Sequence, residues 1–148
     1  MPRQRTILLI DDDRQVLDLL EASLSLKDYR VVSHDDPAAA LNYLKNTVPD
    51  LIICEVDLQR IDGFQLIHRI RESTRAAYSP FIFIGAEREP EKVARGLRMG
   101  AREFLRKPFT VDEMLVRVAK VFDAVANSRT AAPRFDLEGR LEMLPFAP

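Results

Sequence analysis

The residues with chemical potential in this sequence stand directly after short apolar runs. Asp11, Asp12 and Asp13 follow TILLI, Glu55 follows LIIC, Gly85 follows FIFI, and Lys107 with Pro108 follows EFLR. Carboxylates brought close together raise one another's pKa unless a cation relieves them. A hard divalent ion does this well: Mg²⁺ takes one or two carboxylates and keeps several waters. A carboxylate held in such a cluster is also a possible nucleophile. The plainer reading makes IDDD a solvated strand end that caps a helix, and Lys107 a surface lysine.

Which reading holds depends on the elements that position these residues. Candidate strands are Thr6–Ile10, Arg30–Ser33, Leu51–Cys54, Phe81–Ile84 and Glu103–Leu105. Several are continuous apolar runs, as expected of parallel strands buried on both faces. Helical stripes lie between them: Val16, Leu17, Leu20 and Leu24; then Ala38, Leu41 and Leu44; then Phe64, Ile67 and Ile70; then Val93 and Leu97, ending near Met99-Gly100. Asp36 is a natural N-cap before Pro37, and Thr110 with Glu113 forms a capping box for a fifth helix carrying Met114, Leu115, Val118 and Phe122. Strict alternation of five strands and five helices predicts a doubly wound α/β sandwich. Ligands of such sheets bind beyond the carboxyl ends of the strands. Asp11, Asp12, Asp13, Glu55, Gly85 and Lys107 are all strand exits, so the fold gathers them at one edge.

The bulk numbers set limits. The chain has 148 residues, one ordinary domain, with 47% hydrophobic residues and a net charge of −1. That balance offers no electrostatic case for nucleic acid or an anionic membrane. Neither a signal-peptide pattern nor an apolar run of membrane-spanning length is present, so a soluble cytoplasmic protein is expected. The lone Cys54 lies in an apolar run and reads as a small hydrophobe in a reducing compartment.

With these pieces in order, ILLIDDD, DLIICEVDLQRIDG, FIFIGA, GLRMGAREFLRKPF and the capped fifth helix, the sequence resembles the CheY-like receiver domain of bacterial two-component response regulators. The resemblance covers about Arg5 to Val125, giving a receiver over 1–126 and a linker and tail over 127–148. It implies a flavodoxin-like (βα)5 fold with a five-stranded parallel sheet in the order 2-1-3-4-5. It also implies Mg²⁺ on an acidic pair, a strand-three aspartate phosphorylated by a histidine kinase, and a strand-four hydroxyl and a strand-five lysine contacting the phosphoryl group. Asp11 and Asp12 match the acidic pair, Lys107 the lysine, Phe104 the switch aromatic that swings inward or outward, and the main-chain carbonyl of Asp57 the backbone metal ligand. By the same likeness the Lys107–Pro108 bond is cis, a geometry X-Pro bonds tolerate.

Two matched positions depart from the family pattern. Counting back eight from Gly63, the phospho-acceptor position holds Glu55, and the hydroxyl position holds Gly85; Gln59 also replaces the usual loop proline. The extra methylene of glutamate moves its oxygens by about 1 Å, enough to cost about 10²-fold in rate, and pushes them toward the space that metal and phosphoryl would share. Gly85 removes a hydrogen bond to a charged oxygen, worth about 1.5–3 kcal/mol. These departures favour a pseudo-receiver that signals by protein–protein contact, with Glu55 paired to Lys107, Mg²⁺ binding weakened and a histidine kinase doubtful as partner. A phosphorylatable receiver using Glu55 or Asp57 is the alternative. A small Mg²⁺-dependent phosphatase is remote, since EVD only partly matches the D-x-D of haloacid-dehalogenase enzymes.

The resemblance places partner contacts on helices 4 and 5, reaching a regulatory protein, an output domain or a second copy. Arg95 and Arg98 against Asp112 or Glu113 are candidate cross-dimer pairs. His34 and His68 are read as lying away from the acidic edge, and Arg69, Arg71, Arg75, Arg95, Arg98, Arg102 and Arg106 as mostly solvated helix faces or loop residues. The tail segment LEGRLEMLPF resembles the opening strand of a PATAN-type domain, so an incomplete output domain is expected there.

Overall fold

In the computed structural model, residues 3–86 and 89–130 are described, the side chains of 128–130 excepted. The elements alternate as β1 (Thr6–Ile10), α1 (Arg14–Ser25), β2 (Arg30–His34), α2 (Pro37–Tyr43), β3 (Leu51–Glu55), α3 (Gly63–Ser73), β4 (Phe81–Gly85), α4 (Pro90–Arg98), β5 (Glu103–Arg106) and α5 (Val111–Thr130). All neighbouring strands pair in parallel, in the order β2-β1-β3-β4-β5. This is the doubly wound sheet that the alternation predicted. The tail from 131 onward, with its PATAN-like segment, lies outside the described residues; α5 itself runs past 126 to Thr130.

Helix starts follow the capping logic. Asp13 Oδ1 accepts from Gln15 N, and Asp36 Oδ1 accepts from Ala38 N with Pro37 at the first turn. Thr110 Oγ1 accepts from Glu113 N, half of the expected capping box. Asp62 and Gln65 form a complete box that the sequence reading did not single out. The sheet separates two cores. One holds Leu8, Ile52, Phe83, Leu44, Phe64, Ile67 and Ile70; the other holds Ile7, Ile53, Leu17, Leu20, Leu24, Met114, Val118 and Phe122. α2 and α3 therefore cover one face, and α1 and α5 the other. Cys54 is fully buried and unpaired, and burial pushes its thiol far up.

β2 to β5 each run one residue beyond the sequence-based range. Apolar patterning marks buried side chains, whereas the ladder is made by backbone groups and continues for one more pair: Ile10 opposite His34, Glu55 opposite Ile84, Gly85 opposite Arg106. Glu55 and Gly85 are thus the last residues of their strands, held by the sheet itself. β1 is further fixed by Asp50, whose Oδ2 accepts from Thr6 N at 2.8 Å while its Oδ1 meets Arg3 at 2.6 Å. Asp50→Ala should leave the Thr6 amide short of a charged acceptor and cost about 1.5–3 kcal/mol in urea unfolding.

Several arginines are less free than expected. Arg71 lies over the Phe81 ring at 4.5 Å and donates to the Met99 carbonyl, and Arg95 lies over the Phe64 ring at 4.5 Å. Their guanidinium groups tie α3 and the β4 core to α4 by cation–π contact. Arg95 is therefore committed within the chain, which weakens the expected cross-dimer pairing with Asp112 or Glu113. Among the described residues no helix is long and apolar enough to cross a membrane.

Candidate functional site

Four strand exits build the site. β1 delivers Asp11, which is buried; its Oδ1 accepts from Asp13 N at 2.9 Å, and its Oδ2 lies 3.3 Å from Lys107 Nζ. β3 delivers Glu55, only 6% exposed, with Oε2 3.1 Å from the same Nζ. The Glu55 carboxylate also receives the Asp57 amide. Lys107 comes off β5, and its own amide donates to the Gly85 carbonyl at 2.8 Å. One ammonium therefore bridges two buried carboxylates whose residues are 96 and 52 positions away from it in sequence. The Lys107–Pro108 bond is cis, as the resemblance implied.

The position of Glu55 depends on Gly63. A Cβ on Gly63 would sit 2.3 Å from the Glu55 carbonyl oxygen and 2.9 Å from Val56 Cα, and Gly63 N donates to Val56 O at 2.7 Å. The eight-residue spacing is thus the length of a loop that brings the start of α3 back against the end of β3.

Burial is the main influence on the carboxylates. It pushes Glu55 from an ordinary 4.5 up to about 7, with Lys107 opposing and Asp11 reinforcing the rise. Asp11 is also raised by burial, against the pull of the Asp13 amide and Lys107. Burial works against the charge on Lys107, but Glu55 and Asp11 outweigh it and hold its pKa up. Glu55 Oε2 has the ion contact yet no aligned hydrogen-bond donor, so its charge is incompletely compensated. Because the folded state holds the Glu55 proton more tightly than the unfolded state, stability should fall as pH rises from about 4.5 through about 7. Glu55→Gln removes that group, so urea unfolding of the variant should show a smaller loss over the same window.

Gly85 lies beside the Phe104 ring. A Cβ built on Gly85 would lie 3.5 Å from Phe104 Cζ and 3.6 Å from Val56 Cβ. Phe104 is packed against the α2/α3 core, 6.3 Å from the Phe83 ring between centroids. The Phe104 ring is therefore turned toward that core.

Asp12 and Asp57 stand apart from the bridged trio. Asp12 Oδ2 accepts from the Gln59 amide at 3.0 Å. Proline has no N–H, so the residue usual at that loop position could not make this bond. Sequence reasoning noted Gln59 only as a missing proline; its functional group is the backbone amide, which no side-chain pattern announces. Asp57 is exposed and lies past the end of β3, which stops at Glu55. His34, read as remote from the acidic edge, ends β2 there instead: its carbonyl accepts from Asp11 N at 3.3 Å, and its ring lies 5.6 Å from Tyr43. The alignment of β1 with β2 requires this, since Ile10 and His34 are partners. His68 pairs with Glu72 on α3, away from the edge.

The resemblance implied Mg²⁺ on the acidic pair, and the donor set decides whether these residues suit that ion. Mg²⁺ demands oxygens at about 2.0–2.1 Å in near-octahedral array. Here one oxygen of Asp11 and one of Glu55 face an ammonium, and one of Asp12 faces an amide. Among the described residues, no three His, Cys, Asp or Glu side chains come together as a cation-binding group. The residues in this arrangement do not fit the ion.

Comparison with known proteins agrees with the geometry. The family model described as response regulator receiver domain matches residues 7–119. Among curated proteins, the chain is 34% identical over 125 residues to the transcriptional regulatory protein KdpE of Staphylococcus aureus, covering 84% of this chain and 52% of that protein. It is 32% identical over 147 residues to the DNA-binding dual master transcriptional regulator RpaA of Synechocystis, covering 98% of this chain and 60% of that one. The chain thus spans only about half to three-fifths of these relatives' length. Among solved structures, the non-phosphorylated HemR receiver domain of Leptospira biflexa superposes with a TM-score of 0.75 at 28% identity, covering 89% of this chain and 100% of that one. Chemotaxis protein CheY4 of Vibrio cholerae gives 0.75 at 25% identity, covering 80% and 99%. With a receiver model matched over 7–119 and the same fold in these solved domains, this chain belongs to the response regulator receiver domains of two-component signalling.

Proposed function

We propose that this receiver signals without phosphorylation, as a pseudo-receiver whose Glu55–Lys107 pair stands in for the charge contact that a phosphorylated aspartate would make. The observation that carries this reading is the 3.1 Å contact between Glu55 Oε2 and Lys107 Nζ, with Asp11 on the other side of the ammonium. The imitation is partial: at most one carboxylate charge, diminished near neutral pH because burial raises the Glu55 pKa to about 7, replaces the roughly 1.5–2 charges of a phosphate. Gly85 offers no hydroxyl, and Phe104 fills the space beside it, which supports a domain held in one inward arrangement. Asp57 is a poor substitute acceptor, being exposed and outside the strand.

Output then passes through protein contact. Leu97 on α4 and Val116 on α5 are large apolar residues left 48% and 65% exposed. The longer relatives are named as transcriptional regulators, which favours an output domain, or a separate regulatory protein in the cytoplasm, as the recipient at α4 and α5. The balanced charge of the chain itself does not support direct nucleic-acid binding.

Incubation with a small phosphodonor and Mg²⁺, followed by intact-mass measurement, tests the reading. The expected result is an unchanged mass; a stoichiometric gain of one phosphoryl group, about 80 Da, mapped to Glu55 or Asp57 would overturn it.

A further inference from the structure

We infer that Lys107 is the built-in counter-cation of this pocket and that the Gln59 amide withdraws Asp12 from it, so the domain excludes the divalent ion that receivers generally hold. The ammonium sits 3.3 Å from Asp11 Oδ2 and 3.1 Å from Glu55 Oε2, contacting the two most buried carboxylates of the edge at once. A metal bound to those same oxygens would lie against a positive charge, in a setting where burial weakens solvent screening. Asp11 has its other oxygen on the Asp13 amide, and Asp12 has Oδ2 on the Gln59 amide at 3.0 Å. A hard cation would have to break a charge pair and a charge-assisted hydrogen bond before assembling its oxygens.

Two features of this chain combine here. Glu55 holds its carboxylate 3.1 Å from the lysine, and Gln59 supplies an N–H that proline would lack. The long side chain at 55 and the amide at 59 thus act on different carboxylates, with one result. The inference extends the reading above to the counter-ion of the same pocket. A phosphoryl adduct on Glu55 would sink that reading alone, whereas metal binding to the unmodified protein would sink this one alone.

The test uses the full 148-residue chain, with Mn²⁺ as a paramagnetic probe in NMR and Mg²⁺ in thermal unfolding. For the unaltered protein, stoichiometric Mn²⁺ should leave the amide signals of Asp11–Asp13 and Glu55–Gln59 unbroadened, and about 10 mM Mg²⁺ should leave the melting temperature unmoved. Selective broadening of those signals would overturn the inference outright, whether or not any variant folds. Lys107→Met with Gln59→Pro should create the missing site, with Mn²⁺ broadening at those residues and a melting temperature that climbs with Mg²⁺. Lys107→Arg, which keeps the charge, should stay unresponsive. A folded K107M/Q59P protein as indifferent to both ions as the parent would also refute the assignment.

Discussion

Replacing Gly63 by alanine is expected to destabilise this receiver by about 3 kcal/mol or more, lowering its thermal midpoint by about 10 °C or more. The reason is steric and local. The added Cβ would lie 2.3 Å from the Glu55 carbonyl oxygen and 2.9 Å from Val56 Cα, and both obstacles are backbone. Backbone at the end of a central strand cannot rotate aside as a side chain would. Relief requires α3 to move away from β3, which breaks the 2.7 Å bond from Gly63 N to Val56 O and loosens Phe64 and Ile67 from the core. Glu55 shares that segment, so its contact with Lys107 should loosen with it. Thermal and urea unfolding read the loss; a variant as stable as the parent would show that the loop yields cheaply. Because Gly63 opens the α3 helix behind an intact Asp62–Gln65 capping box, an effect this large could not come from lost capping.

The same corner shows what could be read from the sequence and what could not. Asp11, Glu55, Gly85 and Lys107 were legible because strand exits in a parallel α/β sheet share one edge, and strands here announce themselves as apolar runs. The alternation of elements sufficed for that, and pairing in the order β2-β1-β3-β4-β5 delivered it. The bridging role of Lys107 was half legible: pairing with Glu55 followed from proximity, but the simultaneous contact with Asp11 depends on how each carboxylate turns. Gln59 was opaque, since its contribution is a main-chain N–H whose direction is set by the loop. His34 was misplaced because its apolar neighbours end before the ladder does. Arg71 and Arg95 looked like solvated charges, and only tertiary packing lays them over Phe81 and Phe64.

If Glu55 and Gly85 hold this chain unphosphorylated, as proposed, Glu55→Asp combined with Gly85→Thr should make it stoichiometrically phosphorylated by a small phosphodonor. Shortening residue 55 by one methylene draws its carboxylate back from Lys107, weakening the 3.1 Å contact that now occupies it. Correct placement of the nucleophile is worth about 10²-fold. Restoring a hydroxyl at 85 adds a charge-assisted hydrogen bond of about 1.5–3 kcal/mol, a further factor of roughly 10 to 10². The two gains act on different atoms of the same reaction, so each single variant should show a fraction of the double variant's rate. The threonine has a structural consequence as well. Its Cβ meets Phe104 Cζ at 3.5 Å and Val56 Cβ at 3.6 Å, so a branch atom turned toward the ring would crowd it. With that rotamer Phe104 is expected to shift outward, and the ring signals of Phe104 should report this in G85T without any phosphodonor. If Gln59→Pro is added, a further rise in rate would measure what the amide on Asp12 withholds. Intact-mass measurement over time separates these contributions. A double variant that stays unmodified while its Phe104 signals move would mean that Glu55 and Gly85 do not account for the lack of phosphorylation proposed for this chain.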